Sequence, residues 1–383
     1  MTMNIVRESV DESKYIIATY EIKAPREMMM DVARAIAIGQ SIGNPNARSV
    51  WETDQMIEDH AAKILKAEDW NKPWADTLGE IKIAFPVANI NIKTDGISQL
   101  MCQLMGGQMD IDFIHACRLV DIKFPQSILE EFKGPKYGTV GIREFTGAWG
   151  RPLFGGIVKP KVGLTPEGLL TVVKEMVEGG VDFIKEDEIL SNPAHCPLEV
   201  RVPLIMNYLK SINSKVIYAV CVNSDPPYLL DRVRRVHKLG GNAVHVNFWS
   251  GLGAYKAIRD MDLPLFLFFQ KSGDKVITTG KYSIAWPVIC DLAGRMGVDF
   301  IHAGMIDGYM DTDEKEMDEV LGVLEYHDVM PSLSCGMTPD KISPIVEKIG
   351  RNWMASSGGY IHSHEGGTRA GCEAMREAVE NES

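Results

Sequence analysis

The fold is decided by the stretch FGGIVKPKVGLTPEGLLTVVKEMVEGGVDFIKEDE, residues 154–188. It contains two short apolar runs, FGGIV and VDFI, and each is followed at once by a lysine. Between them, TPEG is typical of a helix start, because threonine caps a helix and proline fits its first position. A helical stretch of about 14 residues follows, which is the length of one crossover between parallel strands. We therefore predict a strand–helix–strand unit in which both strands end in lysine.

The same alternation continues to the end of the chain. From about Leu153 onward, eight apolar runs alternate with helical patterns: FGGIVK, VDFIKE, VIYAVCVN, AVHVNFW, LPLFLFF, DFIHAG, PSLSCG and WMASSGG. Continuously apolar runs are typical of strands that are buried on both faces of a parallel sheet. Eight strand–helix units with glycine-rich ends predict an α/β fold, a (β/α)8 TIM barrel over residues 136–383.

Residues 1–135 have a different pattern and predict a smaller α+β domain. Strand and helix patterns alternate here without the eightfold regularity, and the apolar runs are longer and interrupted by polar residues. The predicted strands are Tyr15–Ile22, Leu78–Ile92 and Ile111–Phe124, and the predicted helices are Arg26–Ile38 and Ser98–Met105. The segment KGPKYG, residues 133–138, is the predicted linker.

Composition restricts the classes of partner. The 383 residues are 45% apolar and 24% charged with a net charge of −12, which argues against a nucleic-acid or anionic-membrane partner. Seven dispersed cysteines without a CxxC pair indicate reduced thiols, not disulfides or a zinc site. With no apolar stretch long enough for a bilayer and no signal-peptide core, we expect a cytoplasmic protein.

Lys185, Asp187 and Glu188 form the first candidate site. Desolvation can lower the pKa of a lysine, and the neutral amine can then capture carbon dioxide as a carbamate. A carbamate beside two carboxylates would supply three hard oxygen ligands, which suit Mg²⁺. A surface salt bridge after a strand is the alternative, and these residues alone leave the two interpretations equally open.

The lysine motifs carry a family resemblance. GGIVKPKVGL followed by GGVDFIKEDE resembles the two signature segments of the RuBisCO large chain. The resemblance extends to YIIATYEIKAP, GPKYGTVGIREFTGAWGRPLFG, VDFIHAG, LSCGM and SSGGYIHSH, so it covers nearly the whole chain. It implies a TIM barrel preceded by a ferredoxin-like domain. It also implies a homodimer or dimer-based oligomer, with an active site shared between the barrel of one subunit and the N-terminal domain of another. No small subunit is expected.

The same resemblance implies roles for individual residues. Lys185 corresponds to the carbamylated lysine, and Asp187 and Glu188 correspond to the other Mg²⁺ ligands. Lys159 corresponds to the group that moves the substrate proton, and Lys161 to a lysine that supports the site electrostatically. The residues expected at the substrate and its phosphate are His302, Lys271, Ser334, Gly336, Ser357, Gly358 and Gly359.

Several positions depart from the family pattern. The fifth run delivers Phe269-Gln270-Lys271 in place of a histidine–arginine pair, and Tyr309 stands in place of the lysine on the mobile loop. In the N-terminal domain, Gly107 and Gln40 replace an asparagine and a glutamate. Groups that handle carbon dioxide and a second phosphate are therefore missing, whereas Lys159 and the metal motif remain. This selective loss resembles the RuBisCO-like proteins, form IV, the non-carboxylating branch of the superfamily.

We expect a Mg²⁺-dependent enzyme that enolises a monophosphorylated ketose or oxo-sugar-acid, as an enolase, an isomerase or a decarboxylase (a lyase). The main alternative is a non-catalytic sugar-phosphate binder or regulatory homologue, which predicts a decayed metal motif, whereas Lys185, Asp187 and Glu188 are intact. A methionine-salvage diketone-phosphate enolase is a lower alternative. By the resemblance, those enolases have a lysine near the position of Gly107, and this chain has none there. A true carboxylase also ranks lower, because Tyr309 replaces the loop lysine.

Overall fold

The computed structural model describes residues 4–69, 76–309 and 312–383. Its contacts divide the chain into two compact units, residues 1–132 with 273–289 and residues 133–272 with 290–383. Our proposed domain bounds, 1–135 and 136–383, do not include this return of the chain to the first unit.

The described strands are, in chain order, β1 (Tyr15–Pro25), β2 (Lys63–Asp69), β3 (Asp76–Pro86), β4 (Ala116–Lys123), β5 (Leu153–Ile157), β6 (Phe183–Lys185), β7 (Ile217–Cys221), β8 (Ala243–Asn247), β9 (Phe266–Gln270), β10 (Tyr282–Ile284), β11 (Phe300–Gly304), β12 (Met330–Leu333) and β13 (Met354–Ser357).

The described α-helices are, in chain order, α1 (Met29–Gly39), α2 (Asp54–His60), α3 (Ile92–Leu104), α4 (Gln126–Leu129), α5 (Gly138–Thr146), α6 (Pro166–Glu178), α7 (Leu198–Ser211), α8 (Tyr228–Lys238), α9 (Gly253–Asp260), α10 (Lys275–Thr278), α11 (Trp286–Arg295), α12 (Glu314–Tyr326), α13 (Ile342–Ile349), α14 (Gly359–Ser363) and α15 (Gly367–Glu380). None of these helices is both long and apolar enough to cross a membrane.

The second unit is a closed parallel barrel. Its strands follow the order β5-β6-β7-β8-β9-β11-β12-β13, and β13 pairs with β5 to close the ring. Each of the eight predicted apolar runs overlaps one of these strands, so the predicted TIM barrel is confirmed. The predicted helix start is also present, because the Thr165 hydroxyl caps α6 by accepting from the Gly168 N–H and Pro166 begins the helix.

Aromatic side chains fill the lower part of the barrel. Phe183, Phe268 and Phe300 project inward from three strands, and their ring centroids lie 5.0–6.2 Å apart. Because side chains alternate along a strand, the residue two positions later also faces inward. On these strands that residue is polar, so a layer of functional groups lies directly above the apolar core.

The first unit is an α+β domain, as predicted. Its sheet has the order β10-β4-β1-β3-β2, with β1 antiparallel to β3 and to β4. Two of these strands were not predicted: β2, and β10, which comes from the chain segment at residues 273–289. The predicted strand Leu78–Ile92 ends earlier, at Pro86, and α3 begins at Ile92.

A fully buried ion pair fixes the end of β6. Both oxygens of the Glu186 carboxylate are occupied: Arg201 donates to them at 2.7 and 2.9 Å, the Tyr218 hydroxyl at 2.7 Å and the Cys221 N–H at 2.8 Å. Glu186 and Arg201 are both 0% exposed. Because Glu186 points outward between β6, β7 and α7, the residues on either side of it point into the barrel.

We predict that Arg201→Met strongly destabilises the protein. It would leave the Glu186 carboxylate buried without its charge partner, which costs about 3–5 kcal/mol. Urea unfolding followed by circular dichroism measures the change. The matched control is Arg235→Met, because Arg235 pairs with Glu199 and its side chain is 54% exposed. That change should leave the free energy of unfolding close to the wild-type value, because a solvent-exposed ion pair contributes little to stability. Equal losses in the two variants would contradict the prediction.

Candidate active site

The carboxyl ends of the barrel strands surround a cavity of about 560 Å³. Parallel barrel strands bring the residues that follow them to a single rim. The structure therefore brings together most of the residues expected from sequence. The cavity is lined by Lys159, Lys161, Lys185, Asp187, Glu188, His302, Ser334, Gly336, Gly358 and Gly359, among others.

Asp187 is the contact point of two lysines. Its carboxylate is 2% exposed, and its Oδ2 accepts a hydrogen bond from Lys159 Nζ at 2.8 Å. Lys161 Nζ lies 3.9 Å from the same oxygen, and its side chain is 51% exposed. Lys159 therefore forms the close ion pair, and Lys161 adds positive charge at the solvent side of the cavity.

Lys185 and Glu188 form the second ion pair of the cavity. Lys185 is almost fully buried; its Nζ donates to the Glu186 carbonyl at 3.1 Å and lies 3.4 Å from Glu188 Oε2. Burial would raise the pKa of Glu188, but the charge of Lys185 and a hydrogen bond from Ser272 outweigh it and lower that pKa to about 2. Glu188 is therefore ionised at neutral pH.

A polar network that the sequence analysis missed holds Glu188 in place. The Ser272 hydroxyl donates to Glu188 Oε1 at 2.7 Å and accepts from Gln270 Nε2 at 2.5 Å. Asn247 Nδ2 donates to the Ser272 carbonyl at 2.9 Å, and Asn223 Nδ2 donates to the Glu188 carbonyl at 2.7 Å. The available signal was Asn223 at the end of the third apolar run, VIYAVCVN, and Asn247 within the fourth, AVHVNFW.

His302 is a neutral histidine at the cavity wall. Its Nε2 lies 2.7 Å from the Ser334 hydroxyl, so the two side chains share a hydrogen bond. Burial, followed by the charges of Lys271 and Lys185, lowers the pKa of His302 to about 3. At neutral pH this side chain therefore offers hydrogen bonding to a ligand and no positive charge.

The ends of β12 and β13 carry small residues. Gly336 has φ +109°, a backbone conformation that favours glycine. A Cβ on Gly358 would lie 3.2 Å from Ile157 Cβ and 3.3 Å from the Ile157 carbonyl oxygen, so a side chain there would crowd the end of β5, whereas Gly359 has open space. Backbone N–H groups at such turns can bind anions. Ser357 is placed differently, because its hydroxyl donates to the Met337 carbonyl at 3.1 Å.

The departures from the family pattern have different structural consequences. Phe269 is buried outside the cavity, where its ring stacks on Tyr255 with a centroid distance of 4.4 Å. The residue of β9 that lines the cavity at this level is Gln270. Lys271 is half-buried at the end of β9, and its positive charge helps to lower the pKa of His302. Tyr309 lines the cavity and is 79% exposed.

The two substitutions in the first unit have local roles. The Gln40 amide donates to the carbonyls of Cys102 and Gln103 at 2.9 and 3.0 Å. Gly107 begins a turn of 3-10 helix, Gly107–Asp110.

We predict that His302 stays neutral between about pH 8 and pH 5, where an ordinary histidine titrates. Because its pKa is lowered to about 3, the unfolded chain binds a proton that the folded protein does not. Stability should then fall as the pH drops below about 6.5, by up to about 1.4 kcal/mol per pH unit. Thermal unfolding of wild type and His302→Gln measures this, and His195→Gln, at an exposed histidine, is the control. The same pH slope in all three proteins would contradict the prediction.

Comparisons with known proteins match the whole chain to one family. The family model described as the ribulose bisphosphate carboxylase large chain, catalytic domain, matches residues 138–382. The model of the N-terminal domain of the same chain matches residues 7–128.

Individual relatives agree with this match. A ribulose bisphosphate carboxylase-like protein from Archaeoglobus fulgidus is 28% identical, over 97% of this chain and 89% of that one. A 3-oxo-isoapionate-4-phosphate decarboxylase from Rhizobium etli is 32% identical, over 95% of this chain and 92% of that one. The crystal structure of octameric ribulose-1,5-bisphosphate carboxylase/oxygenase from Pyrococcus horikoshii, in complex with a sulfate ion, aligns with a TM-score of 0.89. It is 25% identical, over 99% of this chain and 91% of that one. The chain therefore belongs to the ribulose bisphosphate carboxylase large-chain family, as a RuBisCO-like protein.

Proposed function

We propose that this protein is a Mg²⁺-dependent enzyme that enolises a monophosphorylated oxo-sugar-acid or ketose and does not carboxylate ribulose bisphosphate. Among the enolase, isomerase and decarboxylase types, a decarboxylase, and thus a lyase, has the most support. The observation that carries the proposal is the 2.8 Å contact between Lys159 Nζ and Asp187, inside the cavity that also holds Lys185 and Glu188. A proton-carrying group thus lies directly against the proposed metal ligands.

The donor set of the cavity fits Mg²⁺ if Lys185 is modified. Among the residues that the structure describes, no group of three or more His, Cys, Asp and Glu side chains is arranged to hold a metal ion. Asp187 and Glu188 supply two hard oxygens, and a carbamate on Lys185 would supply the third. When bound, Mg²⁺ would polarise the substrate carbonyl and stabilise negative charge that develops on its oxygen.

Lys159 would move the proton. In decarboxylation, the bond to the carboxylate carbon breaks, its electron pair forms the enediolate, and carbon dioxide leaves. The Lys159 ammonium would then donate its proton to the carbon that lost the carboxylate. An enolase or isomerase would instead need the neutral amine to remove a proton from carbon. The Rhizobium etli relative, which is by its name a decarboxylase, supports the first of these two steps.

The cavity offers support for one phosphate. Small residues at Gly336, Gly358 and Gly359 leave room for an anion beside the backbone, and the Ser334 hydroxyl can add a hydrogen bond. Across the barrel, the cavity is lined at the end of β9 by the uncharged Gln270. This asymmetry favours a monophosphate over a bisphosphate. The Rhizobium etli relative acts, by its name, on a 4-phosphate of an oxo-sugar-acid, and we propose a substrate of the same class here.

The proposed assembly is a homodimer or a dimer-based oligomer. The Pyrococcus horikoshii structure is described as octameric, and the family fold is shared over nearly the whole chain. In the first unit, Val50 and Trp51 are 93% and 82% exposed, which is typical of residues that contact another protein chain.

All seven cysteines are free thiols, which supports a reducing compartment and hence the cytoplasm.

The second candidate is a non-catalytic sugar-phosphate binder or regulatory homologue. Such a protein would need the anion-binding turns and the cavity, but it would not need Lys159 against Asp187 or the hydrogen bonds that orient Glu188. A ligand that binds without turnover would favour it.

We predict that the protein catalyses deuterium incorporation from D₂O into a phosphorylated substrate. Proton NMR with Mg²⁺ and bicarbonate, over a panel of 3-oxo-sugar-acid phosphates and phosphorylated ketoses, detects it. Deuterium at the carbon that loses carbon dioxide identifies a decarboxylase, and deuterium beside an intact carbonyl identifies an enolase or isomerase. Lys159→Ala should reduce the rate by about 10²- to 10⁴-fold, the usual contribution of a general acid or base.

The matched control is Lys238→Ala, which removes an exposed lysine from α8. It should keep the wild-type rate. Equal loss in both variants would refute the role of Lys159. Binding of a substrate from the panel with no exchange and no turnover would support the non-catalytic binder.

We predict that Ser272→Ala weakens metal binding. Ser272 orients Glu188 through a 2.7 Å hydrogen bond, and loss of such an outer contact typically reduces metal affinity by about 10- to 100-fold. Titration with Mn²⁺, followed by its paramagnetic resonance signal in the presence of bicarbonate, measures the affinity. Ser211→Ala, at an exposed serine of α7, is the control. Unchanged Mn²⁺ affinity in Ser272→Ala would remove Glu188 from the proposed ligand set.

A further inference from the structure

His245 is a buried histidine that the proposed reaction does not use. It lies on β8, where its neighbours in register are Cys221 of β7 and Phe268 of β9. The side chain is 0% exposed, and neither ring nitrogen has a hydrogen-bond partner among the described residues. An unpaired polar group destabilises a protein interior, so the presence of His245 inside the barrel requires an explanation.

The neighbouring side chains cannot satisfy the imidazole. Phe268 faces it edge-on, with ring centroids 6.5 Å apart, and it offers no acceptor. The Cys221 thiol already donates to the Glu188 carbonyl at 3.4 Å. Neither of the two neighbours in register is therefore the missing partner of His245.

The end of β6 offers another candidate, because Lys185, Glu186 and Glu188 all influence the pKa of His245. The Glu186 carbonyl is close enough to raise the pKa of the imidazole slightly, but no hydrogen bond of normal geometry joins the two. The same oxygen accepts a hydrogen bond from Lys185 Nζ at 3.1 Å. The His245 ring and the Lys185 amino group thus approach one shared oxygen atom. The charges that face the ring are those of Lys185, Glu188 and Arg201. Burial, and then the charge of Lys185, hold the pKa of His245 well below its usual value, so the ring is neutral and carries one N–H donor.

We propose that His245 is a positioning residue for modified Lys185, and that its ring N–H donates a hydrogen bond to an oxygen of the lysine carbamate. This inference rests on the proposed function, because it requires carbamylation of Lys185. The neutral amine of Lys185 attacks the carbon of CO₂, a C–N bond forms, one C=O electron pair moves onto oxygen, and the nitrogen releases a proton to solvent. The resulting anionic oxygen is the acceptor that His245 lacks.

The hydrogen bond would have two consequences. A bond to a charged acceptor is stronger than one between neutral groups, so it would favour the carbamate over the free amine. It would also restrict the rotation of the carbamate and thereby aim its second oxygen at the position between Asp187 and Glu188. The unpaired imidazole then destabilises the unmodified protein, and carbamylation of Lys185 removes this destabilisation.

Carbon-13 NMR with labelled bicarbonate tests the inference directly, because it detects the lysine carbamate without substrate or turnover. Wild type should show a carbamate signal that Lys185→Arg lacks. His245→Leu, which keeps the site apolar, should need about tenfold more CO₂ for half-occupancy, equivalent to about 1.4 kcal/mol. His245→Gln retains an N–H donor and should restore much of the occupancy.

A stability measurement separates this role from a structural one. Without CO₂, His245→Leu should be at least as stable to heat as wild type, because it removes two unpaired polar atoms from the core. Wild-type occupancy in His245→Leu, or marked destabilisation without CO₂, would overturn the role of His245 and leave the proposed function intact. No carbamate signal in wild type would overturn the modification of Lys185 itself.

Discussion

The buried ion pair between Glu186 and Arg201 is the interaction on which the geometry of the cavity depends. It fixes the outward side of β6, because four donors hold a carboxylate that is fully buried. Since side chains alternate along a strand, fixing one residue outward directs its two neighbours inward. Lys185, the last residue of β6, and Asp187, two positions later, thereby reach the cavity. A free carboxylate at Glu186 would be expensive to bury, so the register of this strand end is strongly determined.

The charges of the cavity are arranged in matched pairs. Lys159 neutralises Asp187, and Lys185 lies within 3.4 Å of Glu188, so each buried carboxylate has a lysine near it. A nearby opposite charge offsets part of the free-energy cost of removing a carboxylate from water. Under the proposed function, modification of Lys185 changes its charge from positive to negative, and the local excess of negative charge then favours a divalent cation. The same residues thus stabilise the resting protein and prepare the proposed metal site.

Among the polar side chains that the structure describes above the aromatic core, some have hydrogen-bond partners and one does not. Ser272, Gln270 and Asn247 are linked by short hydrogen bonds that end on Glu188, so they add rigidity to one proposed ligand. His245, one level lower on the same strand as Asn247, has no such partner among the described residues. Proteins tolerate local violations of polar pairing mainly where function requires them. The unpaired ring of His245 therefore fits a functional role better than a purely structural one.

Much of this protein follows from its sequence by itself. Eight apolar runs separated by helical patterns determine a parallel barrel, because only strands buried on both faces are continuously apolar. A lysine after each of the first two runs places Lys159 and Lys185 at one rim, since parallel strands all end on the same side. Local signals also determined the start of α6, because its cap and its proline act through adjacent backbone atoms.

Tertiary structure alone decided the rest. The short strand β10 forms because a partner distant in sequence pairs with it: β10 joins β4 across more than a hundred residues. Phe269 and Gln270 are adjacent in sequence, but side chains alternate along a strand. The Phe269 ring therefore stacks on Tyr255, whereas the Gln270 side chain lines the cavity. The pairing of Ser272 with Glu188 and the isolation of His245 depend on which strands become neighbours. Such contacts form only when the barrel closes, because a short stretch of sequence does not specify the distance between residues on different strands.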